Sequence, residues 1–463
     1  MKRILACSLV LLLAFSKASV THAQAGGPVY VVQEGDSYWH IADVFKVTVD
    51  DLLAANGFRS NHIINPGDRL SIPGYEGIQG ILSTRTVELG ETLSTLAMRY
   101  GIPEDMLLRL NRLVNPERLY AAQTLIVVEP DAGTPALIQR ENGQTLSLSQ
   151  GTPLLAMAAA EGINPWDLLA ANGLSSAADQ FSGQTLIELG GTQPLRAWPS
   201  PLTDISFRPP LPLVQGTTEE LTLALPLGSQ AEGTLGDWNL MLRPTEGGLS
   251  ALQGIYVESK PHTYPLILKM TLRDGRVIYF QQDVLLVSGD YITEAGDLTV
   301  PPETLDPATI QSESELINSV VAPFTEARYW EGVFLRPITG GISSYFGNWR
   351  TYNGGEYATF HGGMDFYAQE KAPIHAPAPG RVVFADHLVI CGNTTIIDHG
   401  WGVYTRYCHQ NKIEVQVGEM VQAGQEIGLI GHTGRADGPH LHWEVWVNGV
   451  QVNPLQWLAE AFP

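Results

Sequence analysis

The sequence predicts a multidomain chain: small α+β modules of βααβ order, then an all-β segment, then a mostly antiparallel β domain at the C-terminus. Three observations carry this. Two related segments follow one another over residues 29–74 and 83–130, and repetition at such a period marks small tandem units. Short alternating apolar runs separated by Gly and Pro fill 192–300, the pattern of strands and turns. From 334 to 463 further strand-like runs recur between Gly-rich turns. At 463 residues the chain exceeds what one ordinary core holds.

Residues 1–25, MKRILACSLVLLLAFSKASVTHAQA, join a basic start, an apolar run and a small-residue ending at Ala25. That is the layout of a secretory signal peptide cleaved before Gly26, and the apolar run is too short to read as a membrane span. Cys7 sits inside that run, too early for a lipid anchor, and leaves with the leader. The mature chain is therefore expected in the periplasm or the extracellular cell wall, with no stable membrane span. Its formal net charge of −21 opposes nucleic acid and anionic membrane surfaces as partners.

The first repeat reads VYVVQEGDSYWHIADVFKVTVDDLLAANGF and closes on IINPGDRLSIPG; the second reads STRTVELGETLSTLAMRYGIPEDMLLRLNRL and closes on LYAAQTLIVVEP. Each predicts a strand, a capped helix, a second helix and a closing strand. Asp36 or Ser37 supplies the first cap of repeat one, and Thr48 the next. Residues 135–190 look like a third, degenerate copy with insertions.

Within 192–300 the clearest element is YPLILKMTLRDGRVIYFQQDVLLV. Leu266, Leu268, Met270 and Leu272 alternate, and Asp274-Gly275 supplies a hairpin turn. An immunoglobulin-like sandwich acting as a spacer is the expectation. A linker and helix occupy 301–333, the helix spanning about 308–327 with Ile310, Ile317, Val320 and Val321 on its apolar face.

The C-terminal domain concentrates the chemistry. Eight of the twelve histidines fall there: His361, His375, His387, His399, His409, His432, His440 and His442. FHGGMDF supplies His361 and Asp365; GPHLHWEV supplies His440 and His442. Zinc accepts imidazole nitrogen and carboxylate oxygen, and a catalytic site keeps three protein ligands with a fourth position open. His361, Asp365 and one of the two paired histidines fit that need. On a strand, His440 and His442 share a face while Leu441 looks away. Gly362 and Gly363 argue for a loop leading into a strand that carries Asp365, rather than a helix. The turn-like settings of His375, His387, His399 and His432 point to surface or turn roles. Pairing of NTTIIDHG with VYTRYCHQ around Gly400–Gly402 would bring Cys391 and Cys408 near each other; a disulfide and two free thiols both remain open.

From about Phe334 to Trp457 the chain resembles the lysostaphin-type zinc metalloendopeptidases of bacterial cell walls. The resemblance rests on GGISSYFGNWR, HGGMDF, APAPGRVVFAD, NTTIIDHGWGVYTRYCHQ, VGEMVQAGQEIGLIGHTGRADGPHLHWEVWVNG and VNPLQWL, in order. It implies one zinc ion held by His361, Asp365 and His442, with His409 and His440 as unliganded catalytic histidines in a groove above the metal. Which of the two is the base stays open. Gln410 departs from the family's aliphatic residue after the match to His409, a change expected in the groove wall.

The two repeats resemble LysM modules, which bind N-acetylglucosamine-containing glycan. That resemblance places a groove at Gly35, Asp36 and Ser37 and at Asn65 and Pro66, residues that capping and turns also require. Together the resemblances imply a secreted endopeptidase cutting peptidoglycan cross-links. Relatives that have lost ligands act as silent regulators of other wall hydrolases, and the repeats alone would suit a wall-binding adaptor; the intact histidine set points away from both.

Overall fold

The computed structural model describes residues 28–75, 78–115, 119–129, 142–148, 153–161, 163–172, 174, 185–355 and 359–463. The expected leader lies outside them. The chain divides into two compact units, Met1–Ser83 with Ile126–Ala136 and Thr84–Leu125 with Leu137–Pro463.

In the first unit, strand Val29–Val31 pairs antiparallel with Arg69–Ser71 and parallel with Ile81 and Leu82. Helices Tyr38–Val44 and Val49–Ala55 lie between. Ser37, not Asp36, caps the first by accepting from His40 N (3.1 Å), and Thr48 caps the second by accepting from Asp51 N (3.0 Å). Such caps satisfy N–H groups that the helix itself leaves unpaired. Asn56 ties the second helix to the closing strand: its Nδ2 donates to Leu52 O and Ser71 O, and its Oδ1 accepts from Ser71 N. Ile41, Phe45, Leu52 and Leu70 are buried beneath.

The second unit opens with helices Leu93–Tyr100 and Glu104–Leu110 of repeat two. The third segment has the same order: strand Asn142–Ser147, helices Leu154–Glu161 and Pro165–Ala171, and strand Thr185–Pro194. Asn172 repeats the tie of Asn56, bonding Leu168 O, Ile187 O and Ile187 N.

A two-sheet sandwich follows. One sheet is built on the hairpin of Thr263–Thr271 and Val277–Val287, the other on Asp204–Arg208, Thr218–Ala224 and Gly248–Gly254. Leu266, Leu268 and Met270 are fully buried while Ile267 between them is 41% exposed, the period of two that packs one face of a sheet. Gly275 turns the hairpin at φ 86°, which a side chain would disfavour. Strand Thr293–Leu298 leaves the sandwich and pairs in parallel with Trp349–Tyr352.

Helix Pro307–Val321 begins on Asp306, whose carboxylate accepts from Thr309 N. It stops short of the expected 327 because Pro323 has no N–H to continue the ladder. Ile317 and Val321 pack on Ile396, Tyr404 and Trp446.

The C-terminal domain is a ten-stranded, mainly antiparallel sheet. Its central path runs from Gly341–Ser344 through Met364–Tyr367, His440–Val447, Val403–Ile413 and Gly392–Gly400 to Gly380–Leu388. Trp443, Leu441, Phe366, Val445 and Ile397 are fully buried against one another; each large side chain so buried contributes about 1.5–3 kcal/mol. Cys391 and Cys408 form a disulfide with Cα atoms 4.9 Å apart. His399, expected in a surface turn, is wholly buried: its Nδ1 donates to Pro379 O (2.8 Å) and its Nε2 meets Thr405 Oγ1 (2.8 Å). Its ring centroid lies 5.0 Å from that of Phe334.

Candidate active site

The antiparallel register sets Asp365 directly opposite His442 and Tyr367 opposite His440. Directly opposed residues present their side chains on one face, so pairing alone delivers a carboxylate to an imidazole. His361 joins them from the turn before the strand. His361 Nε2 lies 3.0 Å from Asp365 Oδ1, His442 Nδ1 lies 2.8 Å from the same oxygen, and the two nitrogens are 2.9 Å apart.

The outer ring atoms settle which nitrogens are free. His361 Nδ1 donates to Tyr345 O (2.9 Å), and His442 Nε2 donates to Glu444 Oε1 (2.9 Å). Carbonyl and carboxylate oxygens only accept, so in the neutral rings His361 Nε2 and His442 Nδ1 are lone pairs. Both face a carboxylate oxygen, and three lone pairs this close repel unless a cation lies among them. The three donor atoms fall within 4.8 Å of one another and His361 and Asp365 are buried. Two imidazoles and a carboxylate, each ring fixed by a partner on its other nitrogen, fit zinc.

The charges around the cluster shift its groups in different directions. Burial pushes His361 below its ordinary value, and the nearby Arg350 charge acts in the same direction. Burial would raise Asp365, but His361, His442 and Arg350 outweigh it and hold the carboxyl well below the usual range. His442 is lowered by burial and raised more by Asp365 and Glu444, with a net upward shift. Glu444 is pushed down to about 2: burial opposes this, and Arg406 and His442 prevail.

His409 and His440 stand beside this cluster. Ring centroids of His409 and His440 are 4.7 Å apart, and those of His409 and His442 6.1 Å. His409 Nδ1 donates to Thr433 O (2.7 Å) and His440 Nδ1 to Gly438 O (2.9 Å), leaving each Nε2 a lone pair. His440 Nε2 is 4.0 Å from Asp365 Oδ1. His409 adopts φ 61°, a left-handed conformation that costs about 1–3 kcal/mol. Burial, with His440 and His442 close by, lowers His409 well below its usual value. A cleft of about 750 Å³ opens over all five residues and is also lined by Tyr256 and Glu258 of the sandwich and by Arg435.

Three supporting residues, Arg350, Glu294 and Glu444, carry no role in the sequence reading. Arg350 Nη2 donates to Asp365 Oδ2 (2.6 Å) and its Nε donates to Glu294 Oε2 (2.9 Å); Glu294 also accepts from Ser344 Oγ and from Asn348 Nδ2 (3.2 Å). Glu444 accepts from Arg406 (2.8 Å) and Trp446 (2.6 Å). Glu444 lies two residues after His442, so strand alternation could have found it; Glu294 and Arg350 carry no such signal. Gln410, expected in the groove wall, is fully buried and donates instead to Thr395 Oγ1 and Tyr407 O.

Of the expected glycan-contacting residues, Gly35, Ser37, Asn65 and Pro66 are exposed and Asp36 is half-buried, accepting from Tyr30 OH and Gln33 N (both 2.7 Å). The two loops are joined by Val32 N to Asp68 O (2.9 Å) and Gly67 N to Val32 O (2.8 Å). Beside them Trp39 is 80% and Ile63 77% exposed.

Residues 359–454 match the family model Peptidase family M23, and residues 30–73 and 86–128 each match the LysM domain. Peptidoglycan DD-endopeptidase ShyA of Vibrio cholerae serotype O1 is 40% identical over 115 residues, 25% of this chain and 27% of that protein. DD-carboxypeptidase/endopeptidase Mpg of Neisseria meningitidis serogroup B is 40% identical over 95 residues, 20% of this chain and 22% of that protein. The match thus spans about a quarter of the length of these curated relatives. Among solved structures, a putative peptidase M23 from Pseudomonas aeruginosa aligns at 26% identity and TM-score 0.41, over 54% of this chain and 96% of that one. The catalytic domain of lysostaphin from Staphylococcus simulans aligns at 30% identity and TM-score 0.24, over 26% of this chain and 92% of that one. All five clustered residues fall inside the matched span, and the chain carries a peptidase family M23 domain behind two LysM domains.

Proposed function

We propose that the protein is an exported, zinc-dependent endopeptidase that hydrolyses peptide cross-links of peptidoglycan and is held on the glycan by LysM modules. The observation that carries this reading is the convergence of His361 Nε2, Asp365 Oδ1 and His442 Nδ1 beside two imidazoles whose Nδ1 atoms are held by backbone carbonyls. These three donors would hold the metal. Bound zinc supplies Lewis acidity and makes a water more acidic.

The rest of the chemistry belongs to the side chains. His409 and His440 each face the cleft with a free lone pair, so either accepts the proton of an attacking water and passes it to the departing amine. The imidazole that has gained a proton donates a hydrogen bond to the developing oxyanion. Thr433 O and Gly438 O keep both rings oriented throughout. On the cleft wall, the Arg435 guanidinium lies 4.7 Å from the Tyr352 ring centroid and has no carboxylate partner among the described residues. It is free to meet a carboxylate of a stem peptide.

Export is supported by the composition of residues 1–25 and by the disulfide, a bond that persists in oxidising compartments. Among the described residues, no helix is long and apolar enough to cross a membrane. The test is digestion of purified peptidoglycan with and without chelator, read by mass spectrometry for new peptide ends. Chelator-sensitive cleavage is expected; zinc binding without cleavage of any wall type would remove the enzyme reading.

A further inference from the structure

The two LysM domains place equivalent loops in opposite situations. Backbone bonding aligns them: Val32 N to Asp68 O and Gly67 N to Val32 O in repeat one correspond to Val87 N to Gln123 O and Ala122 N to Val87 O in repeat two. Gly35, Asp36 and Ser37 therefore match Gly90, Glu91 and Thr92, and Asn65 and Pro66 match Tyr120 and Ala121. The glycines share a left-handed backbone, φ 87° and 81°, and Ser37 and Thr92 are both helix caps.

In repeat one, a Cβ added at Gly35 or Gly67 would meet nothing within 4 Å. In repeat two, a Cβ at Gly90 would lie 2.6–2.9 Å from atoms of the Trp198 ring. Gly90 N donates to Gln282 Oε1 (2.7 Å), Ala197 N donates to Gly90 O (2.6 Å), and Gln282 Nε2 donates to Glu91 O (3.1 Å). The opposite loop is covered as well. Ala121 is fully buried; its N donates to Asp283 O (2.8 Å) and its O accepts from Leu285 N (3.1 Å), so it pairs with the sandwich strand Val277–Val287. Glu91, 2% exposed, is paired by Arg99 and Arg196.

We infer that the second LysM domain has turned both lips of its glycan groove into a docking surface for the β-sandwich of the same chain, and that of the two the first alone offers an open groove. This rests on the reading that these domains bind glycan. Backbone groups that would meet a sugar are already satisfied in repeat two, so a glycan there must first break the bonds to Gln282, Ala197, Asp283 and Leu285. Repeat one needs no such opening. The second domain is thereby fixed to the sandwich within one compact unit.

The test is hydrogen exchange on the full chain, alone and with a pentamer of N-acetylglucosamine, resolved to short peptides. Segments 88–92 and 119–123 are expected to exchange slowly without sugar and not to change on its addition, while 33–38 and 64–68 exchange fast and slow down with sugar. Gln282→Ala should speed exchange at 88–92 by roughly tenfold, the worth of the hydrogen bonds lost. Fast exchange at 88–92 and 119–123 without sugar, or slowing there on its addition, overturns the inference. Slow exchange at these segments with no sugar effect anywhere upholds the docking and instead sinks the glycan reading.

Discussion

Replacing Glu294 by Gln keeps the shape of the side chain and removes one negative charge, and it should weaken zinc binding although Glu294 is not a ligand. The carboxylate accepts from Arg350 Nε at 2.9 Å, and Arg350 in turn donates to Asp365 Oδ2 at 2.6 Å. Side chains of Glu294, Arg350 and Asp365 are 22%, 10% and 9% exposed, so solvent screens the chain of charges only in part. With Glu294 neutral, the guanidinium is answered by Asp365 alone; it draws on the carboxylate that the metal needs and repels a divalent cation. Loss of such a supporting partner lowers metal affinity about 10–100-fold, or roughly 1.4–2.7 kcal/mol. Competition with a chromogenic chelator measures the affinity, and thermal unfolding of the metal-free protein controls for misfolding. Unchanged zinc affinity in Glu294→Gln, or a loss that only tracks a lower unfolding temperature, would refute the reasoning.

Burial pushes His399 down to about 4, against an ordinary value of 6.5. The folded state thus favours the neutral ring: its contribution is complete above pH 6.5 and is lost as pH falls toward 4, by roughly 3 kcal/mol. Denaturant unfolding of His399→Gln across pH 7 to 4 should show a flatter loss of stability than the parent; parallel curves would contradict this. Cys391→Ser with Cys408→Ser opens a loop of 17 residues' separation, worth about 3 kcal/mol; because Cys391 O also accepts from His409 N at 2.7 Å, peptidoglycan turnover should fall along with thermal stability. Arg435→Ala should raise KM for a stem peptide bearing carboxylates and leave kcat near its parent value; an equal loss in kcat would assign Arg435 a different role.

The central cluster was legible because strand alternation and metal chemistry act over short spans. His440 and His442 were placed on one face of a strand and Asp365 on another, and the observed register makes Asp365 and His442 direct partners. Support from a distance was not legible. Glu294 is 71 positions before Asp365 in sequence, on a strand whose parallel pairing with Trp349–Tyr352 no local pattern encodes. His399 next to a turn glycine reads as exposed, whereas Pro379 O and Thr405 Oγ1 let it be buried with both ring nitrogens engaged; Gln410, placed in the groove wall by the family pattern alone, is buried with its Nε2 donating to Thr395 Oγ1 and Tyr407 O. The third segment's βααβ order is legible in its sequence, but the docking of repeat two is not, since Gly90 and Gly35 share a left-handed backbone two residues before a helix cap and what separates them is the packing of Trp198 on Gly90.

The most direct test is to strip the metal from the purified protein, return zinc in steps, and follow both bound metal and cleavage of peptidoglycan stem peptides. The account predicts activity that rises linearly to a plateau at one zinc per chain in the parent and is absent, with the fold retained, in His442→Ala and Asp365→Ala. Cleavage that persists in the stripped protein or in either variant would contradict it.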